Sequence, residues 1–121
     1  MTVAVVTGAA SGMGRACVER VRSLVDVVVA ADLEAPDIDG TIGAACDVAD
    51  PAAVTALVAQ VRDLGPFRAL AHAAGISPTM GDARRMFEVD LIGTQLLLDA
   101  FEDLVVPGSA AVCSRPRPRT R

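Results

Sequence analysis

The sequence contains no tryptophan, tyrosine or lysine, and it has only three phenylalanines and one histidine. Because 52% of its 121 residues are nevertheless apolar, the core must be built mainly from alanine, valine and leucine. The only histidine is His72 and there is no CxxC pair, so a metal site has little support. The length suits one modest domain with a single core.

All 11 basic residues are arginines, and with 15 acidic residues the net charge is −4. This acidic balance argues against a general nucleic-acid-binding protein. The three cysteines, Cys17, Cys46 and Cys113, are odd in number and far apart, which is typical of reduced thiols in a cytoplasmic protein. The first residues include neither a basic segment nor a long apolar run, so we expect no signal peptide and no membrane span.

The glycine-rich stretch 7–14, TGAASGMG, follows a short β-branched run at 3–6 that predicts a buried strand. From Gly12 onward the pattern is helical, and a strand–turn–helix unit of this kind presents free N–H groups to a pyrophosphate. Gly8 permits the turn, Gly12 lets a phosphate approach the backbone, and Gly14 lets the helix lie close to the strand. Glycine triplets also occur by chance, so the prediction of dinucleotide binding depends on this frame.

A second predicted strand, 27–31, ends at Asp32, which lies 18 positions beyond Gly14. A carboxylate at this place can accept hydrogen bonds from the hydroxyls of an adenosine ribose. The alternative is a solvated carboxylate that merely ends the strand. We favour the ribose role because it completes the glycine motif at the expected separation.

The remaining pattern alternates strands with helices. We predict further strands at 41–46, 67–71 and 109–113, loops at 34–40 and 76–82, and helices at 12–24, from Pro51 to Leu64, and at 84–105. Asp50 is the expected N-cap before Pro51. The predicted buried faces consist of Met13, Cys17, Val21 and Leu24 in the first helix and of Val54, Leu57, Val58 and Val61 in the second. The third helix is apolar on nearly every side, so we expect it to be covered on more than one face.

The last eight residues differ sharply from the rest. Ser114 is followed by alternating arginine and proline to Arg119 and then by Thr120 and Arg121, a composition that excludes a helix or a central strand. Two interpretations are open: a reading-frame change or truncation after the fifth strand, which we favour, and a natural disordered basic tail with polyproline-II character. We assign 1–114 to the domain and 115–121 to the tail.

Several motifs together resemble those of the short-chain dehydrogenase/reductase family. Thr7, Gly8, Gly12 and Gly14 match the family's TGxxxGxG pattern, and Asp32 matches its acidic NAD-selecting position. Asp47 and Val48 match the pair that contacts the adenine ring. Ala74 and Gly75 match the end of the family's NNAG segment, and residues 89–94 match its VNLxGT segment. The resemblance covers residues 1 to 114. It implies a doubly wound α/β domain, the Rossmann fold, with parallel strands in the order 3-2-1-4-5 and a switch point between strands 1 and 4. The implied cofactor-binding residues are Thr7, Gly8, Ser11, Gly12, Met13, Gly14, Asp32, Leu33, Asp47, Val48, Ala74 and Gly75.

The sequence departs from the family pattern at residues that carry chemistry. His72 and Ala73 replace the two asparagines of NNAG, and we expect His72 to hydrogen-bond across the sheet in a structural role. Asp90 replaces the asparagine that helps to organise a proton-relay water; an ionised aspartate can accept from a water but cannot donate to it. Ser114 lies near the place of the family's catalytic serine, but the Tyr-x-x-x-Lys dyad that exchanges a proton with substrate is absent.

The resemblance therefore implies the cofactor-binding half of an NAD-dependent oxidoreductase acting on a small alcohol or carbonyl compound, inactive by itself. Asp32 would repel the 2′-phosphate of NADP, and neither Ser11 nor Leu33 offers a basic group, although nearby Arg15 keeps NADP as the less favoured alternative. The other open interpretation is a non-catalytic NAD-binding or interaction module whose basic tail binds a partner. We also expect self-association through the helix at 84–105, with Leu91, Leu96, Leu97, Leu98 and Phe101 only partly buried.

Overall fold

A central parallel sheet organises the computed structural model, which describes residues 2–10, 12–73, 84, 92–105 and 108–113. Its strands are β1 (Val3–Thr7), β2 (Val27–Asp32), β3 (Ile42–Ala45), β4 (Phe67–His72) and β5 (Ala110–Cys113). They lie in the order β3-β2-β1-β4-β5, and every neighbouring pair is parallel. The predicted α/β Rossmann fold and strand order are thus confirmed. Because chain order reverses direction at β1, the carboxyl ends of β1 and β4 form the switch point of the sheet.

Helices cover both faces of this sheet. They are α1 (Gly12–Val21), α2 (Pro51–Leu64) and α3 (Gly93–Phe101), the last continued by a 3₁₀ turn over Glu102–Leu104. Val3 and Val5 of β1 pack in a core with α2 and α3, whereas Val6 packs with α1 on the other face. This alternation follows from the two-residue period of a strand, and burial on both faces explains why β1 reads as a continuous apolar run.

The start and the buried face of α2 agree with the prediction. The Asp50 side chain accepts a hydrogen bond from the Ala52 amide at 3.0 Å, and Pro51 occupies the first turn, where no amide hydrogen is needed. The buried residues of the helix are the four predicted ones, Val54, Leu57, Val58 and Val61.

The predicted buried face of α1 is confirmed at Cys17 and Val21, which are half-buried against the core, and is wrong at Met13 and Leu24. Met13 and Leu24 are exposed, while Gly14 and Val18 are the buried residues of the helix, which ends at Val21 instead of 24. Gly14 and Val18 are four positions apart and therefore lie on one face. A glycine carries no apolar side chain, so the hydrophobic pattern does not reveal that the centre of the buried face lies at Gly14 and Val18.

The expected partial burial of the third helix is wrong at Leu97 and Phe101, which are buried completely or almost so. Phe101 packs on Phe67 with 5.2 Å between ring centroids, and both residues belong to the core shared with α2. Leu98 is half exposed and agrees with the expectation. Leu91 lies outside the described residues. Arg84 is helical, and the helix that is described from residue 92 onward ends at Phe101 instead of 105.

Within the described ranges, no helix is long and apolar enough to cross a membrane.

Candidate nucleotide-binding site

The carboxyl end of β1 leads into the glycine loop at the switch point of the sheet. Gly8 and Gly12 have positive φ angles of 65° and 60°, a conformation that side chains with a Cβ rarely adopt. A Cβ built on Gly12 meets no heavy atom within 4 Å, so the loop borders open space at this point. The loop therefore leaves room for a ligand directly against the backbone, where α1 begins.

Gly14 has a different reason for lacking a side chain. A Cβ at this position would lie 1.9 Å from the carbonyl oxygen of Gly8, far inside van der Waals contact. The first turn of α1 therefore packs directly on the loop. Its amide groups include those that an α-helix leaves without intrahelical partners, at the positive end of the helix dipole.

Asp32 is held beside this loop by hydrogen bonds to backbone amides. Its Oδ2 accepts from the Ala10 amide at 3.0 Å, and its Oδ1 accepts from the Leu33 amide at 2.8 Å. The adjacent Ala9 amide donates to the Ala31 carbonyl oxygen at 3.1 Å. The carboxylate thus joins the end of β2 to the loop, instead of only ending the strand. It is half-buried and keeps lone pairs for further donors.

Exposed apolar side chains lie next in sequence to both features. Met13 follows Gly12 and is 61% exposed, and Leu33 follows Asp32 and is 58% exposed. Large apolar side chains with this exposure can pack on the rings of a ligand without any rearrangement of the core.

The predicted Asp47–Val48 pair follows Cys46, whose amide donates to the Asp32 carbonyl oxygen at 2.8 Å. Asp47 Oδ1 accepts from the Ala49 amide at 3.0 Å, while Val48 is buried. A Cβ on Gly93 would lie 2.8 Å from Val48 Cγ2 and 3.2 Å from its carbonyl oxygen. The start of α3 therefore packs directly against Val48.

His72 connects three elements under the loop. Its Nδ1 lies 2.7 Å from Thr7 Oγ1, and its Nε2 lies 2.9 Å from Thr94 Oγ1. Thr7 Oγ1 also accepts from the Ala73 amide at 3.1 Å. His72 is 2% exposed. The predicted cross-sheet hydrogen bond of His72 is thus present, and the structure adds Thr94, to which the sequence pattern gave no role.

A sequence comparison identifies the family of this chain. The sequence model of the short chain dehydrogenase family matches residues 2–110. The chain belongs to the short-chain dehydrogenase family.

Relatives of the short-chain dehydrogenase family match most of the chain. An uncharacterized short-chain type dehydrogenase/reductase of Sinorhizobium fredii is 33% identical to it; the match covers 91% of this chain and 23% of that protein. A C-terminal deletion mutant of Thermoplasma acidophilum aldohexose dehydrogenase has a TM-score of 0.79 at 26% identity over 93% of this chain and 48% of the other. A Burkholderia phymatum short-chain dehydrogenase/reductase in complex with NAD has a TM-score of 0.76 at 26% identity, with the same coverage. The chain thus spans about a quarter of the curated relative and about half of these structures.

Five predicted site residues of this short-chain dehydrogenase chain lie outside the described residues. They are Ser11, Ala74, Gly75, Asp90 and Ser114. Their roles remain predictions that depend on the family resemblance.

Electrostatics give no sign of thiol or metal chemistry in the part of the chain that the structure describes. Burial raises the pKa of the Cys46 thiol to about 11, and the charges of Asp47 and Asp50 add to the effect. This thiol is therefore protonated near neutral pH, which makes it a poor nucleophile. The described residues contain no group of histidine, cysteine and acidic side chains that could hold a metal ion.

Proposed function

We propose that the chain is the NAD-binding half of a short-chain dehydrogenase/reductase that acts on a small alcohol or carbonyl compound. The observation that carries this proposal is the Asp32 carboxylate, fixed by the Ala10 and Leu33 amides beside the open face of Gly12. The NAD complex of the Burkholderia phymatum relative supports the choice of cofactor.

The geometry fits a dinucleotide. The open space at Gly12 supports a pyrophosphate against the first turn of α1, and Asp32 has lone pairs left for ribose hydroxyls. Met13 and Leu33 would cover apolar parts of the ligand. Bound nicotinamide would supply the hydride acceptor or donor. The described residues do the rest: they bind, orient and select the cofactor.

We assign the selection of NAD over NADP to the charge of Asp32, which would repel the 2′-phosphate of NADP. In Asp32→Ala, we expect NAD to bind roughly tenfold more weakly, because charge-assisted hydrogen bonds are lost, and the NADP/NAD affinity ratio to rise. Titration calorimetry with both cofactors measures these changes.

The matched control is Asp26→Ala at the opposite end of β2. Its carboxylate also accepts a backbone amide, that of Thr2 at 2.8 Å, and this hydrogen bond lowers the pKa of Asp26. NAD affinity should be unchanged in this variant. Unchanged NAD binding in Asp32→Ala would contradict the assignment.

Substrate turnover requires more than this chain contains. A positioned proton-transfer group contributes about 10²–10⁴ in rate, and the sequence has neither the tyrosine nor the lysine that the family uses. We expect the 121-residue chain to form no NADH from secondary alcohols, measured by absorbance. A robust signal at saturating NAD that disappears in His72→Ala would show that His72 acts as a substitute.

The missing dyad also supports a second candidate, a non-catalytic NAD-binding or interaction module. The nucleotide sequence downstream of the Ser114 codon separates the two. A YxxxK segment in another frame indicates an interrupted enzyme, and its absence favours the module.

Self-association is part of the proposal. Ile92, Leu98 and Val105 are large, apolar and exposed in and around α3, and such residues favour contact with a partner surface. We expect dimers or soluble aggregates by light scattering at moderate salt. A sharp monomer peak with cooperative unfolding would contradict this.

The free thiols Cys17 and Cys46 agree with the proposed cytoplasmic location.

A further inference from the structure

The buried imidazole of His72 has both ring nitrogens engaged by threonine hydroxyls from different elements. Thr7 is the last residue of β1, and Thr94 lies in the first turn of α3. Buried polar groups are costly unless they are hydrogen-bonded. The three side chains therefore form one connected polar network inside an otherwise apolar interior.

Both ends of this network reach the proposed nucleotide site. Thr7 directly precedes Gly8, where the loop turns with a positive φ. Thr94 directly follows Gly93, whose backbone is seated against Val48. The two threonines thus adjoin two segments that are predicted to bind the cofactor: the glycine loop in one case and the Val48 segment in the other.

The chemistry of imidazole links the two contacts. A neutral ring has one donor nitrogen and one acceptor nitrogen. If Thr7 donates its hydroxyl proton to Nδ1, then Nε2 donates to Thr94; if Nδ1 donates to Thr7, then Thr94 donates to Nε2. The tautomer of the His72 ring thus determines whether the hydroxyl of Thr7 or that of Thr94 donates to it.

We propose that His72 is a positioning residue that couples the glycine loop to α3 through Thr7 and Thr94. In this way it fixes the glycine loop relative to the Val48 segment, on which α3 packs. This inference rests on the proposed NAD binding. His72 touches neither substrate nor cofactor in this role. It acts through the hydrogen bonds of its two ring nitrogens.

Two substitutions separate the two contacts. The amide of His72→Asn comes near the position of Nδ1, and the amide of His72→Gln comes near that of Nε2. Asn therefore retains the Thr7 contact and Gln the Thr94 contact. Because coupling requires both, we expect each variant to bind NAD roughly tenfold more weakly. Combining His72→Asn with Thr94→Val should add little to the loss of His72→Asn alone, since both changes break the same link.

A spectroscopic readout distinguishes coupling from general stability. His72 is the only histidine, so ¹⁵N signals of its imidazole need no assignment and report its tautomer. Saturating NAD should shift these signals in the wild type, although the ring is buried, and should shift them much less in Thr94→Val. Thr55→Val is the matched control: it removes a hydroxyl that donates to the Pro51 carbonyl oxygen at 2.9 Å in α2. It should change neither NAD affinity nor the imidazole response.

The outcomes are distinct. If the wild type binds NAD but Thr94→Val and His72→Asn both retain full affinity, and Thr94→Val also retains the full imidazole response, the coupling is wrong and the proposed function stands. If Thr55→Val loses as much affinity as Thr94→Val, the effect is general destabilisation and the coupling is likewise wrong. If the wild type binds neither NAD nor NADP, the proposed function fails and the coupling fails with it.

Discussion

Replacing Gly12 with alanine should weaken NAD binding roughly a hundredfold, which corresponds to about 2.8 kcal/mol. The added methyl group would project into the open space beside the loop, where no heavy atom lies within 4 Å. In the proposed complex this space holds the pyrophosphate, so the methyl group would prevent close approach to the backbone. Valine should abolish binding altogether. Titration calorimetry gives the affinities.

Gly40→Ala is the control for backbone strain. Gly40 also has a positive φ, 77°, and a Cβ there meets only Arg22 Nη2 at 4.0 Å. Both alanine variants should lose about 1–2 kcal/mol of unfolding free energy, the cost of a left-handed residue with a Cβ. Only Gly12→Ala should lose affinity for NAD. Equal NAD affinity in the two variants would refute the placement of the pyrophosphate.

Replacing Gly14 with alanine should destabilise the fold by about 3 kcal/mol, the upper end of the usual range for overpacking. The reason is the 1.9 Å approach of the added Cβ to the Gly8 carbonyl oxygen, because neither backbone segment can move without separating α1 from the sheet. Helix propensity alone predicts the opposite sign, since alanine is better than glycine in a helix by about 1 kcal/mol. Urea unfolding measures the difference.

The same helix supplies the control for propensity. Ala16 is exposed on α1, so Ala16→Gly reports the alanine–glycine difference without a packing change, and should cost about 1 kcal/mol. If Gly14→Ala were as stable as the wild type or more so, the close packing of α1 on the loop would be wrong.

The parts of the fold that could be predicted from the sequence are those with a local chemical cause. β-branched runs such as Val3–Thr7 indicate buried strands by themselves. The Asp50–Pro51 pair marks the start of α2, because it supplies a cap and tolerates the missing amide hydrogen. Asp32 could be placed beside the glycine loop because parallel strands bring their carboxyl ends to one edge.

The parts that could not be predicted depend on partners distant in sequence. Nothing in the sequence near Leu97 and Phe101 indicates that α2 and Phe67 cover them. Thr94 and Gln95 are both polar at the start of this helix, and only the folded chain shows that Thr94 reaches His72, 22 positions away. The hydrophobic pattern of α1 does not reveal its contact at Gly14, because this residue has no side chain.

The double attachment of Asp32 limits how the proposed NAD preference of this chain could be changed. Removing the carboxylate removes the charge that is proposed to disfavour NADP, but it also deprives the Ala10 amide of its acceptor. A change to NADP would therefore need two compensations: a basic group for the 2′-phosphate and a new anchor for the loop. Asn or Ser at position 32 supplies only the anchor, because each removes the charge and leaves an oxygen that can accept the amide hydrogen. A library that varied only the charge near the ribose would yield proteins with altered preference and weaker binding of both cofactors.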